Sequence, residues 1–346
     1  MIKGERGHIR CCASVAQSSA LVGTSEGASE RLGTVPRSGR AGAAAATLLP
    51  HPHLLQPKLS SMDQWFSQKA SAGDKAFQEC TKILSDYLSS TTDTPPASTA
   101  SAIVTSVNAS SKPADTGFEV TNLLLDIVAQ FSTSHTPIIA LLPAIRAIPP
   151  TPNPVYYHCE SMHRENYDGI SGLRYLWKPE DKQATVTPGD RWVNYNVFTV
   201  KLATSGYNDG YFMFGFFCLR EALETKKESR EAEFEKHIRP SFLERSAIDA
   251  NELLNYDLTA AAKWVIIGAS HMYRLGNSVF GEDLQRGIAV HTEFCDGNPG
   301  FSLGRWRTWW GRFKYFAEEP YVKEEVRVLC REAIDAIADA LFAKVD

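Results

Sequence analysis

Apolar side chains return every three or four residues along most of the chain, and this spacing constrains the fold more than any other feature. Near the C-terminus the apolar positions are Val322, Val326, Leu329, Cys330, Ala333, Ile337 and Leu341. The preceding aromatic positions have the same spacing: Trp306, Trp309, Trp310, Phe313 and Phe316. Each set lies on one face of a helix, and that face must be buried against other elements. Because only a short connection containing Pro320 separates the two sets, they predict an antiparallel helical hairpin.

The same helical spacing recurs upstream, and no convincing run of alternating apolar and polar residues interrupts it. The upstream stretches are 66–88, 120–131, 138–148, 192–202, 212–223 and 264–275. Alternation would be expected of half-buried strands. We therefore predict an all-α fold, an irregular multi-helix bundle that ends in the C-terminal helical hairpin. In the hairpin, Ser302 is expected to be the N-cap of the aromatic helix.

Residues 1–61 differ in composition from the rest of the chain. They combine Gly, Ser and Ala with scattered Arg, a composition that buries too little apolar surface to offset chain entropy. We interpret them as a disordered basic leader and expect Met62, which directly precedes the first helical pattern, to be the natural start. Residues 62–346 are then expected to form a single helical domain.

Inside that domain, residues 91–115 are rich in Ser, Thr, Pro and Ala. This composition favours a flexible connection, with at most one helical turn around residues 103–107. Thr116 and Glu119 then have the spacing of a capping box, which predicts that the next helix begins there.

Charge and cysteine content limit the partners and the compartment. The net charge is −4 although the leader is basic, so the body is acidic and disfavours nucleic acid as a partner. No apolar run approaches the roughly 20 residues that a membrane span requires. Seven cysteines without a C-x-x-C pair indicate a reducing compartment. A cytoplasmic location is expected, with the nucleus as the alternative, because glycines and acidic residues in the leader disfavour mitochondrial import.

Several short segments resemble a known family. They are WVNYNVF at 192–198, LREALE at 219–224, AAAKW at 260–264, FSLGRW at 301–306 and WWGRF at 309–313. Their order and spacing resemble the fungal domain of unknown function 3632 over roughly Met62 to the C-terminus. The resemblance implies a helical domain without an agreed activity, cofactor or catalytic residue. Gly304 departs from the family pattern, which often has an acidic residue in that first helical turn.

The sequence contains few residues whose pattern suggests chemistry. Glu160 and His163 have the Glu-x-x-His spacing of di-iron bundles, but a second such pair is absent, so we expect no metal and no cofactor. If a pocket lies between helices, its candidate polar residues are His271, Arg220 and Tyr195. For His271 a hydrogen-bonded core position is the commoner alternative, and for Arg220 an ion pair with Glu224, one turn later, is the first interpretation.

Two functions are compatible with these observations. Motifs of common hydrolases, nucleotide-binding enzymes and metalloproteases are absent. The aromatic residues near Arg305, Arg307 and Arg312 are better explained by core packing than by base stacking. We therefore expect a non-enzymatic interaction or accessory module with a protein partner. The alternative is a small-molecule-binding protein or enzyme whose pocket lies between helices.

Overall fold

The computed structural model describes a large part of the chain, and all of that part belongs to the compact unit Leu55–Asp346. The described residues are 62–71, 73–89, 94–149, 153–156, 186–235, 249–276, 278, 291–295 and 300–342. The predicted leader at 1–61 and the residues Glu160 and His163 lie outside them. The longer helices are α1 (Met62–Lys69), α2 (Lys75–Ser89), α3 (Pro96–Asn108), α4 (Pro113–Gln130), α5 (His135–Ala147), α6 (Pro188–Thr204), α7 (Phe212–Leu223), α8 (Lys227–Glu233), α9 (Ala250–Leu275), α10 (Leu303–Glu318) and α11 (Glu324–Phe342).

The predicted all-α class is confirmed, because the described residues form α-helices and short 3-10 turns and contain no strand. The predicted C-terminal hairpin is also confirmed, since α10 and α11 pack against each other. Ser302 is the N-cap of α10, and its Oγ accepts a hydrogen bond from the Arg305 amide at 3.4 Å. The cap compensates for Gly304, so the helix begins at Leu303 despite a glycine in its first turn.

Helix α9 is the packing centre of the C-terminal half, where it contacts α6, α7 and α11. Small residues allow this close approach: Ala260, Ala261 and Ala262 are fully buried. On α7, Gly215 lies against the Trp264 indole, so closely that an added Cβ would be 2.5 Å from a ring carbon. Helix α9 ends at Leu275, and its C-cap Gly276 has a positive φ of 53°, which suits a residue without a side chain.

One hydrophobic cluster connects the helices of the N-terminal half with those of the C-terminal half. In the N-terminal half, α3 packs against both α2 and α5, and α4 packs against α6. Because α6 contacts both α4 and α9, it joins the two halves of the bundle. A capping box begins this helix: Thr187 Oγ1 accepts from the Asp190 amide at 3.0 Å, and the Asp190 carboxylate accepts from the Thr187 amide.

The predicted flexible connection at 91–115 is wrong for most of its length, because it contains α3 and the start of α4. Pro96 and Pro113 lie in the first turns of these helices. Backbone amides in a first turn have no intrahelical acceptor, so a proline there costs no hydrogen bond of the helix. Ile103 and Val107 are fully buried in the core, and their burial stabilises a helix whose composition resembles a loop.

The predicted capping box at Thr116 is also wrong. Helix α4 begins one turn earlier, and Thr116 lies inside it. Its hydroxyl lies 2.8 Å from Ser110 Oγ and donates to Asp74 Oδ2 at 3.3 Å. The threonine therefore connects α4 to the residue before α2 instead of capping its own helix.

Candidate functional site

A buried carboxylate, Glu224, lies at the C-terminal end of α7 and is the centre of a polar cluster. Its Oε1 accepts hydrogen bonds from Trp309 Nε1 at 2.8 Å and from Arg305 Nη1 at 3.1 Å. Its Oε2 accepts from Thr292 Oγ1 at 2.8 Å. The side chains of Glu224 and Arg305 are both fully buried. Because each buried charge has its partner, the cluster holds the end of α7 against α10 without an uncompensated charge.

This pairing corrects the sequence interpretation, in which Glu224 was expected to pair with Arg220. The guanidinium of Arg220 instead lies over two aromatic rings, 5.1 Å from that of Phe217 and 5.8 Å from that of Phe216. Arg305 was the missed partner. Its spacing of four from Trp309 puts both residues on the buried face of α10, and this is the signal in the sequence that could have identified it.

A second buried hydrogen bond joins α6 to α9. Trp264 Nε1 donates to Asn196 Oδ1 at 2.7 Å, and Asn196 Nδ2 donates to the Trp192 carbonyl at 2.9 Å. The segment 192–198 is thereby linked to the segment 260–264, as the segment 219–224 is linked to α10. These hydrogen bonds join helices that carry the motif segments, whereas the buried Trp306 Nε1 of the segment 301–306 has no hydrogen-bond partner in the part of the chain that the structure describes.

Two arginines cap the last carbonyls of α7. Arg312 Nε donates to the Leu223 carbonyl at 3.0 Å, and its guanidinium lies 4.1 Å from the Phe294 ring. Arg230 donates to the Glu221 carbonyl and, at 2.8 Å, to the buried carboxylate of Asp257. Positive charge at a helix C-terminus complements the helix dipole. Burial lowers the pKa of Arg312.

The Cys295 thiol lies close enough to Glu224 to be affected by its charge, and its environment does not activate it. Burial, and then the negative charge of Glu224, raise the pKa of the Cys295 thiol. A thiol with a raised pKa stays protonated at neutral pH and is a poor nucleophile. The Glu224 cluster therefore has the chemistry of a structural joint between helices.

The three residues predicted to line a pocket lie on three helices in different surroundings. Tyr195 on α6 is fully buried in the core, whereas His271 on α9 is half-buried and stacks on Phe212 at 6.1 Å between ring centres. Arg220 lies on α7 over the aromatic rings named above. The role of these residues in a pocket stays a prediction.

An open cleft of about 400 Å³ lies between α5 and the turn after α6, and none of the three residues lines it. Its walls include Arg146, Gly206 and Tyr207. Arg146 Nη1 donates to the Tyr207 carbonyl at 2.8 Å, and the guanidinium lies 5.2 Å from the Tyr207 ring. The cation in this cleft is therefore already held by the protein. Over the ranges that the structure describes, no group of three or more His, Cys, Asp or Glu side chains could hold a metal ion.

In the part of the chain that the structure describes, the C-terminal hairpin carries most of the large hydrophobic side chains that remain exposed. Six such residues occur among the described positions, and five of them lie on α10 or α11. These five are Leu303, Trp310, Tyr315, Val328 and Phe342. Trp310 differs from the expectation that the aromatic residues share one buried face, since 39% of it is exposed. It follows Trp309 directly and so points about 100° away from it around the helix.

One charge sign predominates in one exposed row of each hairpin helix, although Glu318 on α10 and Arg331 on α11 are exposed as well. On α10 the exposed residues Leu303, Arg307, Trp310 and Lys314 follow a spacing of four, three and four, and we call them the basic face. On α11 the exposed residues Val328, Glu332, Asp335 and Asp339 follow the same spacing, and we call them the acidic face. Both faces combine charge with exposed apolar surface. Such surfaces are typical of sites that bind other macromolecules.

None of the helices that the structure describes is long and apolar enough to cross a membrane. A family model described as "Protein of unknown function (DUF3632)" matches residues 122–313, which is more than half of the chain. No curated protein matches the chain. No solved structure matches it either. The matched span includes Asn196, Glu224, Trp264, Arg305 and Trp309, and the chain belongs to this family of proteins of unknown function.

Proposed function

We propose that the protein is a non-enzymatic interaction module that binds a protein partner through its C-terminal helical hairpin. The observation that carries this proposal is the concentration of exposed large hydrophobic side chains on α10 and α11, five of the six among the described residues. A single exposed apolar residue is ordinary on a protein surface. Several on one hairpin, alternating with charges at helical spacing, indicate a surface that is covered by a partner.

Trp310 is the expected anchor of this surface. Tryptophan and arginine are the residues that most often dominate binding energy at protein interfaces, and Arg307 lies one turn before Trp310. The Lys314 ammonium lies 5.7 Å from the Trp310 ring, so the ring is bordered by a cation on its C-terminal side as well. A partner that covers the indole would also bring its acidic groups close to both cations.

The charge distribution favours a protein over nucleic acid. The basic face has two cations, Arg307 and Lys314, whereas the body that carries it is acidic. Nucleic-acid-binding surfaces depend on many phosphate contacts, which an acidic body would oppose. We propose the cytoplasm as the compartment, in line with the cysteine content. The alternative of an enzyme or small-molecule-binding protein has less support, because its candidate Tyr195 is fully buried in the core.

Purification of the tagged full-length protein from its native cells tests the proposal. The wild-type protein should retain specific proteins, and the double variant Leu303→Ser/Trp310→Ser should lose them. The matched control is Phe118→Ser, which removes the large exposed hydrophobic side chain that the described part of the chain has outside the hairpin. Retention of the same proteins by the hairpin variant, or a wild-type protein that retains none and stays a monomer, would contradict the proposed function.

A further inference from the structure

We propose that the partner covered by the basic face of α10 is a second copy of this chain, which contributes the acidic face of its α11. The proposal rests on the proposed function and names the occupant of the same surface. Three observations carry it: the matching spacing of the two faces, their opposite charge, and the availability of their charged groups.

The two faces match residue by residue when α10 of one copy lies beside α11 of another. Arg307 and Lys314 are seven residues apart, and so are Glu332 and Asp339. At 1.5 Å per residue, the two members of each pair are about 10 Å apart along their helix axis. Both cations of one copy can therefore meet a carboxylate of the other copy at the same time. With the helices parallel, Leu303 then lies beside Val328.

The same spacing also works with the helices antiparallel. Arg307 then meets Asp339, and Lys314 meets Glu332. In that direction Leu303 lies near Phe342, which is 81% exposed, the highest value among the exposed large hydrophobic residues of the described part. In both orientations the two cations meet carboxylates and Leu303 meets an exposed apolar residue. The faces are therefore complementary whether the helices are parallel or antiparallel.

These charged groups are not used by the ion pairs of the hairpin itself. There Glu324 pairs with Arg327 and Arg331, and Lys323 pairs with Glu252 of α9. Across the part of the chain that the structure describes, no ion pair involves Arg307, Lys314, Glu332 or Asp339. The two helices are neighbours, yet their charged faces do not meet within one molecule. A second molecule can bring them together.

Self-association also explains why both faces occur on one hairpin. If α10 of each copy contacts α11 of the other, two identical interfaces close a symmetric dimer. If only one of these two contacts forms between any two copies, the copies assemble into an open chain. Either assembly buries Trp310 and pairs its neighbouring cations.

Charge reversal tests the inference on the full chain. In sedimentation velocity at low and high salt, the wild-type protein should associate as its concentration rises, and salt should weaken the association. The variants Arg307→Glu/Lys314→Glu and Glu332→Lys/Asp339→Lys should each weaken it at least tenfold. An equimolar mixture of the two variants should associate again, because each reversed face then meets its complement. Loss of folding cannot produce this rescue.

The matched control is Lys75→Glu/Lys82→Glu on α2, which reverses two exposed lysines that are also seven residues apart. It should leave the association within twofold of wild type. A wild-type protein that stays monomeric, variants without effect, or a mixture without rescue would overturn the inference. If the wild type is monomeric but other proteins still bind through Trp310, the proposed function stands and the occupant is a foreign protein.

Discussion

Trp309 donates its indole N–H to Glu224 across 2.8 Å, which joins the middle of α10 to the end of α7. The two residues are 85 positions apart in the sequence, and both are buried. A carboxylate that is removed from water must receive hydrogen bonds from the protein to remain charged at low cost. Trp309, Arg305 and Thr292 supply these bonds, and for this reason the cluster is a structural joint in the fold.

The indole bond can be tested with a substitution that keeps an aromatic ring. Trp309→Phe removes the donor and leaves Glu224 with two partners, so the free energy of unfolding should fall by about 2–4 kcal/mol. Trp310→Phe on the exposed side of the same helix should change it by less than about 0.5 kcal/mol. Urea unfolding at neutral pH measures both. Equal effects of the two substitutions would contradict the assigned role of the indole bond.

The buried ion pair predicts strong coupling between Glu224 and Arg305. Arg305→Met leaves a buried carboxylate without its cation and should cost about 3–5 kcal/mol. Glu224→Gln alone should cost a similar amount because the arginine loses its counter-charge. The double variant should lose clearly less than the sum of the two, and a double-mutant cycle of unfolding free energies provides the coupling. Additive losses would show that the two charges do not interact.

His135 makes stability depend on pH. The side chain is buried, and although Nε2 lies 2.9 Å from the Val128 carbonyl, burial lowers the pKa of His135 to about 4. Below pH 6.5, His135 binds a proton in the unfolded chain but stays neutral in the folded chain. The free energy of unfolding therefore decreases as pH falls from 6.5 to 4. The loss from this residue should be about 3 kcal/mol.

Comparison with His135→Gln isolates this contribution, because glutamine keeps a donor for the Val128 carbonyl but does not titrate. Urea unfolding at pH 7.5 and pH 4.5 should give a smaller loss of stability for the variant than for the wild type. Identical pH profiles would show that His135 titrates normally in the folded protein.

Alanine substitutions at two helical glycines should have opposite effects on the stability of the protein. Gly215 faces the Trp264 ring, and a Cβ there would lie 2.5 Å from a ring carbon. Gly215→Ala should therefore destabilise the protein by about 1–3 kcal/mol despite the better helix propensity of alanine. Gly311 on α10 is exposed, and an added Cβ would meet no other atom within 4 Å. Gly311→Ala should stabilise the protein by about 0.5–1 kcal/mol. Thermal unfolding measures both, and the prediction is wrong if the two variants shift in the same direction.

The hairpin shows which features were predictable from local sequence. The apolar spacing from Val322 to Leu341 and the aromatic spacing from Trp306 to Phe316 predicted α10 and α11, and Ser302 predicted where α10 begins. These features depend on the 3.6-residue period and on the capping of free amides, which involve residues only a few positions apart. The same reasoning failed at α3, where burial of Ile103 and Val107 outweighs a composition typical of loops.

The amino-acid sequence by itself determined that this protein is helical, that it ends in a hairpin, and that its motifs resemble one family. Only the tertiary structure decided that Glu224 pairs with Arg305, 81 residues away, and not with Arg220. It also decided that Trp309 is buried whereas Trp310 is exposed beside the Lys314 ammonium. The physical reason is that periodicity acts within one helix, whereas the partner of a buried charge and the exposed side of a helix depend on which helices pack together.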